Sequence, residues 1–138
     1  MPYLLDTNVL SELRKGRNAD ASVRRWATQV GSDRHFISVL SLGEIRKGIE
    51  VLRRRAPKQC APLEDWLGTL RLHYSEDILP VSEQVCHTWG CLMAERTFPA
   101  VDGLLAATAQ THHLTIATRN TSDFEGAGVR VVNPFLKA

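Results

Sequence analysis

The chain opens on three apolar residues, Tyr3-Leu4-Leu5, that run straight into a carboxylate, Asp6, and two small polar residues, Thr7 and Asn8. The pattern predicts a short buried strand with Asp6 at its forward end. A helix follows, with Val9, Leu10 and Leu13 on one side. Helical spacing returns at Val23, Trp26, Ala27 and Val30, predicting a helix over 21–30 closed by Gly31. His35–Ser38 reads as a second strand. A longer helix is expected over 39–55, with Leu42, Ile45, Ile49 and Leu52 as its stripe and Pro57 as its stop. Leu63, Trp66, Leu67 and Leu70 mark another over 63–72. Residues 78–81 read as a strand that Pro80 confines to an edge or an end. Ser82 caps a helix to about Arg96, with Val85, Trp89, Leu92 and Met93 inward. Pro99 and Ala100 lead into one more, to about His112. Residues 114–118 and 129–132 are the last two strands, with a loop or short helical turn between them. Strands alternating with helices predict an α/β fold: one domain, 1–138, with a central, mainly parallel sheet of four to five strands covered by helices.

Composition narrows the class. A chain of 138 residues is long enough for one real core. No run approaches the roughly 18 apolar residues that span a bilayer. No basic segment precedes an apolar stretch at the N-terminus, so a cytoplasmic protein is expected, with no membrane partner. A net charge of +2 does not by itself demand a nucleic-acid partner. Six basic residues, Arg46, Lys47, Arg53, Arg54, Arg55 and Lys58, nevertheless crowd one segment. They form either a solvated helix face or a surface that steers phosphates or an acidic partner. Cys60, Cys86 and Cys91 are an odd set without a CxxC pair, which suits reduced thiols and argues against zinc.

Four carboxylates carry the chemistry. Asp6 is a good N-cap, and a helix start also attracts anions, so capping and function are compatible there. Glu44 lies on the long helix, off its apolar stripe, between Gly43 and Gly48. Each glycine costs a helix about 1 kcal/mol relative to alanine, which predicts close approach of a backbone or ligand beside Glu44. Asp102 opens a segment, 101–109, that is apolar nearly all round and therefore buried. A carboxylate there needs a cation or the helix N-terminus. Asn120 and Asp123 follow a strand, as Asp6 does. They either form turns through side-chain bonds or add oxygen ligands at the same crevice, provided the first and fourth strands are neighbours. Acids converging there stay ionised only with cations between them. An all-oxygen set favours Mg²⁺ or Mn²⁺, a centre suited to phosphodiester hydrolysis.

These motifs together resemble the PIN-domain ribonucleases, and within them the VapC-type toxins of toxin–antitoxin pairs. The matching residues are Leu4-Leu5-Asp6-Thr7-Asn8-Val9, the helix 41–48 around Glu44, Asp102-Gly103-Leu104-Leu105-Ala106-Ala107-Thr108-Ala109, Thr118-Arg119-Asn120 with Asp123-Phe124, and the ending Asn133-Pro134-Phe135. The resemblance implies a three-layer α/β/α PIN-like fold and a Mg²⁺- or Mn²⁺-dependent endoribonuclease. It makes Asp6, Glu44 and Asp102 the core metal-binding acids. The fourth place falls to Asp123 rather than to Asn120, which is an amide. Asn120 would bind metal-bound water or position substrate. Thr7 and Thr118 would be supporting polar groups, and Asn8 would orient Asp6. A homodimer is implied, with a cognate VapB-type antitoxin that contacts DNA on the toxin's behalf, possible hetero-oligomers of the two, and RNA as substrate. Two alternatives stand beside this. One is a catalytically weak PIN-fold binding module that acts as the antitoxin's co-repressor. The other is a haloacid-dehalogenase-type phosphatase with Asp6 as nucleophile, which wants a second aspartate where Asn8 stands.

Overall fold

The computed structural model describes residues 1–137. Its elements are β1 (Tyr3–Leu5), α1 (Thr7–Leu13), α2 (Ala21–Gln29), β2 (His35–Ser38), α3 (Val39–Arg55), α4 (Ala61–His73), β3 (Ile78–Leu79), α5 (Glu83–Glu95), α6 (Ala100–His112), β4 (Thr115–Ala117) and β5 (Val131–Val132). The five strands form one sheet in the order β3-β2-β1-β4-β5. Every pairing is parallel. The chain therefore builds outward from β1 through β2 to β3, then crosses over and continues through β4 to β5. The switch of direction falls between β1 and β4, where ligand sites form in open parallel sheets.

Period-two alternation in β1 divides the core. Tyr3 and Leu5 join one cluster with Val9, Ile37, Ile45 and Ile49. Leu4 points the other way, into a cluster with Val85, Leu105, Ala106 and Ile116. Helices thus cover both faces of the sheet, giving three layers. Leu4 and Leu5 are fully buried, and each contributes about 1.5–3 kcal/mol by leaving water. The apolar run of α6 is buried as expected, from Gly103 and Leu105 through Ala109. Its first turn lies tight against α5. A Cβ at Gly103 would stand 3.1 Å from Trp89 Nε1 and 3.3 Å from Met93 Sδ.

The differences from expectation are at element ends. Strand β3 stops at Leu79, because Pro80 has no N–H for the ladder, and it lies at the sheet's edge. Helix α4 begins at Ala61, not 63, with Pro62 in the first turn where a missing N–H costs nothing. Strand β5 is only Val131–Val132, since Gly128 takes a left-handed φ of +70° just before it. Strand β4 is 115–117; Thr118 still donates its N–H to Val132 O, but its side chain serves another purpose.

Candidate functional site

Parallel register brings two polar ends together. Leu5 is paired with Ala117, so Asp6 and Thr118, one residue on, emerge side by side. Asp6 caps α1, its Oδ1 accepting the Thr7 N–H at 2.8 Å. The capping reading thus holds for one oxygen. The other, Oδ2, accepts from the Thr118 hydroxyl at 2.8 Å and from the Asn8 amide at 3.3 Å. Thr118 is fully buried. Its Oγ1 also accepts from Asn8 Nδ2 at 3.2 Å and from the Asn120 N–H at 3.1 Å. Asn8 Oδ1 in turn accepts the Arg119 N–H at 3.0 Å. These bonds lock the end of β1 to the end of β4. They fix the carboxylate plane of Asp6, which is 9% exposed.

Glu44 enters from α3, exposed, with Oε1 accepting the Thr7 hydroxyl at 2.7 Å. Thr7 therefore contacts two acids, Asp6 with its amide and Glu44 with its hydroxyl. For the glycines beside Glu44, the fold removes one of the two expected neighbours, a backbone. A Cβ at Gly43 or Gly48 would meet nothing within 4 Å, so no backbone approaches there. They lower the wall of an open groove of about 620 Å³ lined by Glu44, Lys47, Val51 and Arg55.

Asp102, half-buried in the first turn of α6, reports on the other acids. Its carboxyl is pushed above the usual carboxylate range, first by burial and then by the negative charges of Asp123, Asp6 and Glu44. Those charges place the other three acids within electrostatic reach of Asp102. Asp123 is exposed on the helical turn Thr121–Phe124, anchored by the buried Phe124, and donates its N–H to Asn120 O. Among the described residues no Lys, Arg or His pairs with Asp102. No side chain is thus its cation partner, and its place in the first turn of α6 keeps the helix N-terminus as a support.

The basic segment divides. Arg46 and Arg53 are taken up by Glu50 and Glu64, a network that ties α3 to α4 as a solvated face. Lys47 and Arg55 face the groove instead. All three cysteines are free thiols. Among the described residues no three His, Cys, Asp or Glu side chains are already drawn into a metal cage. The other three acids act on Asp102, yet the four are not drawn into a preformed shell. Their donor set still fits a hard divalent cation. It is all oxygen, without His or Cys, and it holds an excess of negative charge that burial and proximity have left uncompensated.

Comparison with known proteins decides the family. The PIN domain family matches residues 3–128. The chain belongs to the PIN-domain family. The matched span of this PIN domain contains Asp6, Glu44, Asp102, Asn120 and Asp123, and stops short of Asn133-Pro134-Phe135. The chain is similar to the VapC ribonuclease Y4jK of Sinorhizobium fredii, at 31% identity over 96% of both chains. It is also similar to the toxin FitB of Neisseria gonorrhoeae, at 33% identity over 96% of this chain and 97% of that one. Among solved structures, a toxin–antitoxin complex from Klebsiella pneumoniae superposes with a TM-score of 0.66 at 26% identity, covering 96% of this chain and 97% of the other. The PIN-like α/β architecture expected from the sequence is the one observed.

Sequence reasoning paired Asp6 with Asn8 but not with Thr118, the partner that holds Oδ2 most closely. A threonine ending a buried strand is an ordinary residue until the register shows what stands next to it. Asn8, where the phosphatase reading wanted a second aspartate, spends its amide on Asp6 and Thr118.

Proposed function

We propose that this PIN domain is a Mg²⁺- or Mn²⁺-dependent endoribonuclease toxin of the VapC type, restrained by a cognate VapB-type antitoxin. The observation that carries the reading is that Asp6, Glu44 and Asp123 all bear on Asp102, which is raised first by burial and then by these three charges. Similarity to a VapC ribonuclease and to a toxin–antitoxin complex supports it. The four acids would hold the cation, which supplies an activated water and stabilises the leaving oxygen of an RNA phosphodiester. The products would be a 5′-phosphate and a 3′-hydroxyl. The chain's own contribution is orientation. Thr118, Asn8 and the Thr7 amide hold both oxygens of Asp6, and the Thr7 hydroxyl holds Glu44, so little reorganisation remains when substrate arrives. Asn120 flanks the acids as a neutral donor for water or substrate.

The same reading makes residues 1–138 one functional domain, of which the last lies outside the described residues. It places the protein in the cytoplasm as a homodimer that meets DNA only through the antitoxin. No described helix is long and apolar enough to cross a membrane. The test is incubation of the purified chain with total RNA and Mn²⁺, followed by mapping of the cut ends. Asp102→Asn should lower cleavage by at least about 100-fold while circular dichroism shows an intact fold, the scale on which loss of a metal-centred group acts. Cleavage by this variant at the wild-type rate would reject the mechanism.

A further inference from the structure

Arg119 stands at the rim of the acidic centre in an unusual setting. Its guanidinium carbon lies over the Phe135 ring, 3.9 Å from the ring centroid. The other three arginine–aromatic contacts lie at 4.6 Å, 4.8 Å and 5.6 Å. Two of those arginines are otherwise engaged: Arg34 with the Asp77 carboxylate and Arg96 with the Glu125 carbonyl. Among the described residues no carboxylate pairs with Arg119, and its side chain donates no hydrogen bond. Glu12 feels its charge, but spends its oxygens on Lys15 and the Asp20 N–H.

The backbone of Arg119 is held as tightly as its side chain is free. Its N–H donates to Asn8 Oδ1 at 3.0 Å, within the cluster that positions Asp6. Its carbonyl accepts from Asn133 Nδ2 at 3.3 Å. Asn133 Oδ1 accepts the Phe135 N–H at 2.9 Å, turning the chain so that the ring lies beneath the guanidinium. The closing Asn133-Pro134-Phe135 thus builds a platform for a single cation on the residue that follows Thr118, the partner of Asp6. A guanidinium stacked on one face keeps its N–H fork in the plane, open to a tetrahedral anion. Carboxylates repel a polyanion, so an unneutralised cation carried by a residue whose backbone is bonded into the Asp6 cluster has a clear use.

We propose that Arg119, preorganised on Phe135, is an anchor for an RNA phosphate neighbouring the bond to be cut. The inference rests on the ribonuclease reading, and the experiment separates the two. Binding of a short fluorescein-labelled single-stranded RNA is followed by anisotropy over a range of salt, in the Asp102→Asn background so that no cleavage intervenes. Arg119→Gln should weaken binding about tenfold, as loss of a hydrogen bond between charged partners does. It should also reduce the magnitude of the slope of log K against log salt by about 0.7, the effect of one lost single-strand phosphate contact. Arg119→Lys should restore the slope but not the full affinity, because charge returns without the fork. Phe135→Leu keeps an apolar side chain and the arginine, and should cost a few-fold in affinity with the slope unchanged. Unaltered affinity and slope in Arg119→Gln would overturn the anchor. So would weaker binding with an unaltered slope, which marks a purely structural arginine. Unchanged binding in Phe135→Leu would remove the platform. An Asp102→Asn parent that binds no RNA would take down the ribonuclease reading together with the anchor.

Discussion

Asp102 holds its place at a cost to the fold. Burial and the three neighbouring acids disfavour its charged form, so its folded pKa lies above the ordinary 3.8. Between 3.8 and that raised value the folded chain keeps a proton that the unfolded chain has released. Stability therefore falls as pH rises through this window, and the full cost is present above it. Asparagine carries no charge at any pH. With a chelator present, Asp102→Asn should therefore be more stable than wild type at neutral pH, and the advantage should close as pH drops below about 4. Urea melts of the two proteins at neutral and acidic pH check this. An equal stability difference at both would show that charge is not the cause. Enhanced stability with lost activity is the usual signature of a site whose function conflicts with folding.

At the scale of elements, α6 is the piece whose placement matters most for the acids. It is buried almost all round, and its first turn, carrying Asp102, is seated on α5 at Gly103 against Trp89 and Met93. Gly103→Val would force this turn away from Trp89. Overpacking of this kind costs about 1–3 kcal/mol, and the displaced turn carries Asp102 with it. The variant should melt at lower temperature and bind Mn²⁺ more weakly, measured by electron paramagnetic resonance of the free ion. Wild-type Mn²⁺ affinity in a destabilised Gly103→Val would mean that the seat of α6 does not govern the acids. On the other face, α3 presents Glu44 without such a constraint. Gly43 and Gly48 open onto the groove rather than onto a neighbour.

For the whole molecule, the acids at the crossover between β1 and β4 combine in their effect on Asp102. A divalent cation bound by the folded chain and not by the unfolded chain adds stability by mass action, about 2.7 kcal/mol at a free concentration of about 100 times Kd. Mn²⁺ should therefore raise the melting temperature in a concentration-dependent manner, and Asp102→Asn should blunt the rise. An unshifted melting temperature at millimolar Mn²⁺ would argue that the folded apo-protein holds the ion no better than the unfolded chain does.

Much of this was legible along the chain. The alternation in Tyr3-Leu4-Leu5, the helical stripes and the buried run after Asp102 follow from local periodicity and need no long-range information. They determined the order of strands and helices and the parallel character of the sheet. Local pattern also put Asp6, Asp102 and Asp123 near strand ends and helix starts. Tertiary structure decided the rest. The 2.8 Å bond from Thr118 to Asp6 joins residues far apart in sequence, and it exists because Leu5 pairs with Ala117. For the glycines beside Glu44 the sequence left a backbone neighbour and a ligand equally open, and the fold removes the backbone, because a missing side chain looks the same in sequence whether a neighbour or open space lies opposite. Arg119 and Phe135 are separated by a turn, a strand and a second turn, so only the folded chain stacks one on the other. Periodicity is a property of neighbours along the chain; partnership across the site is a property of register and packing.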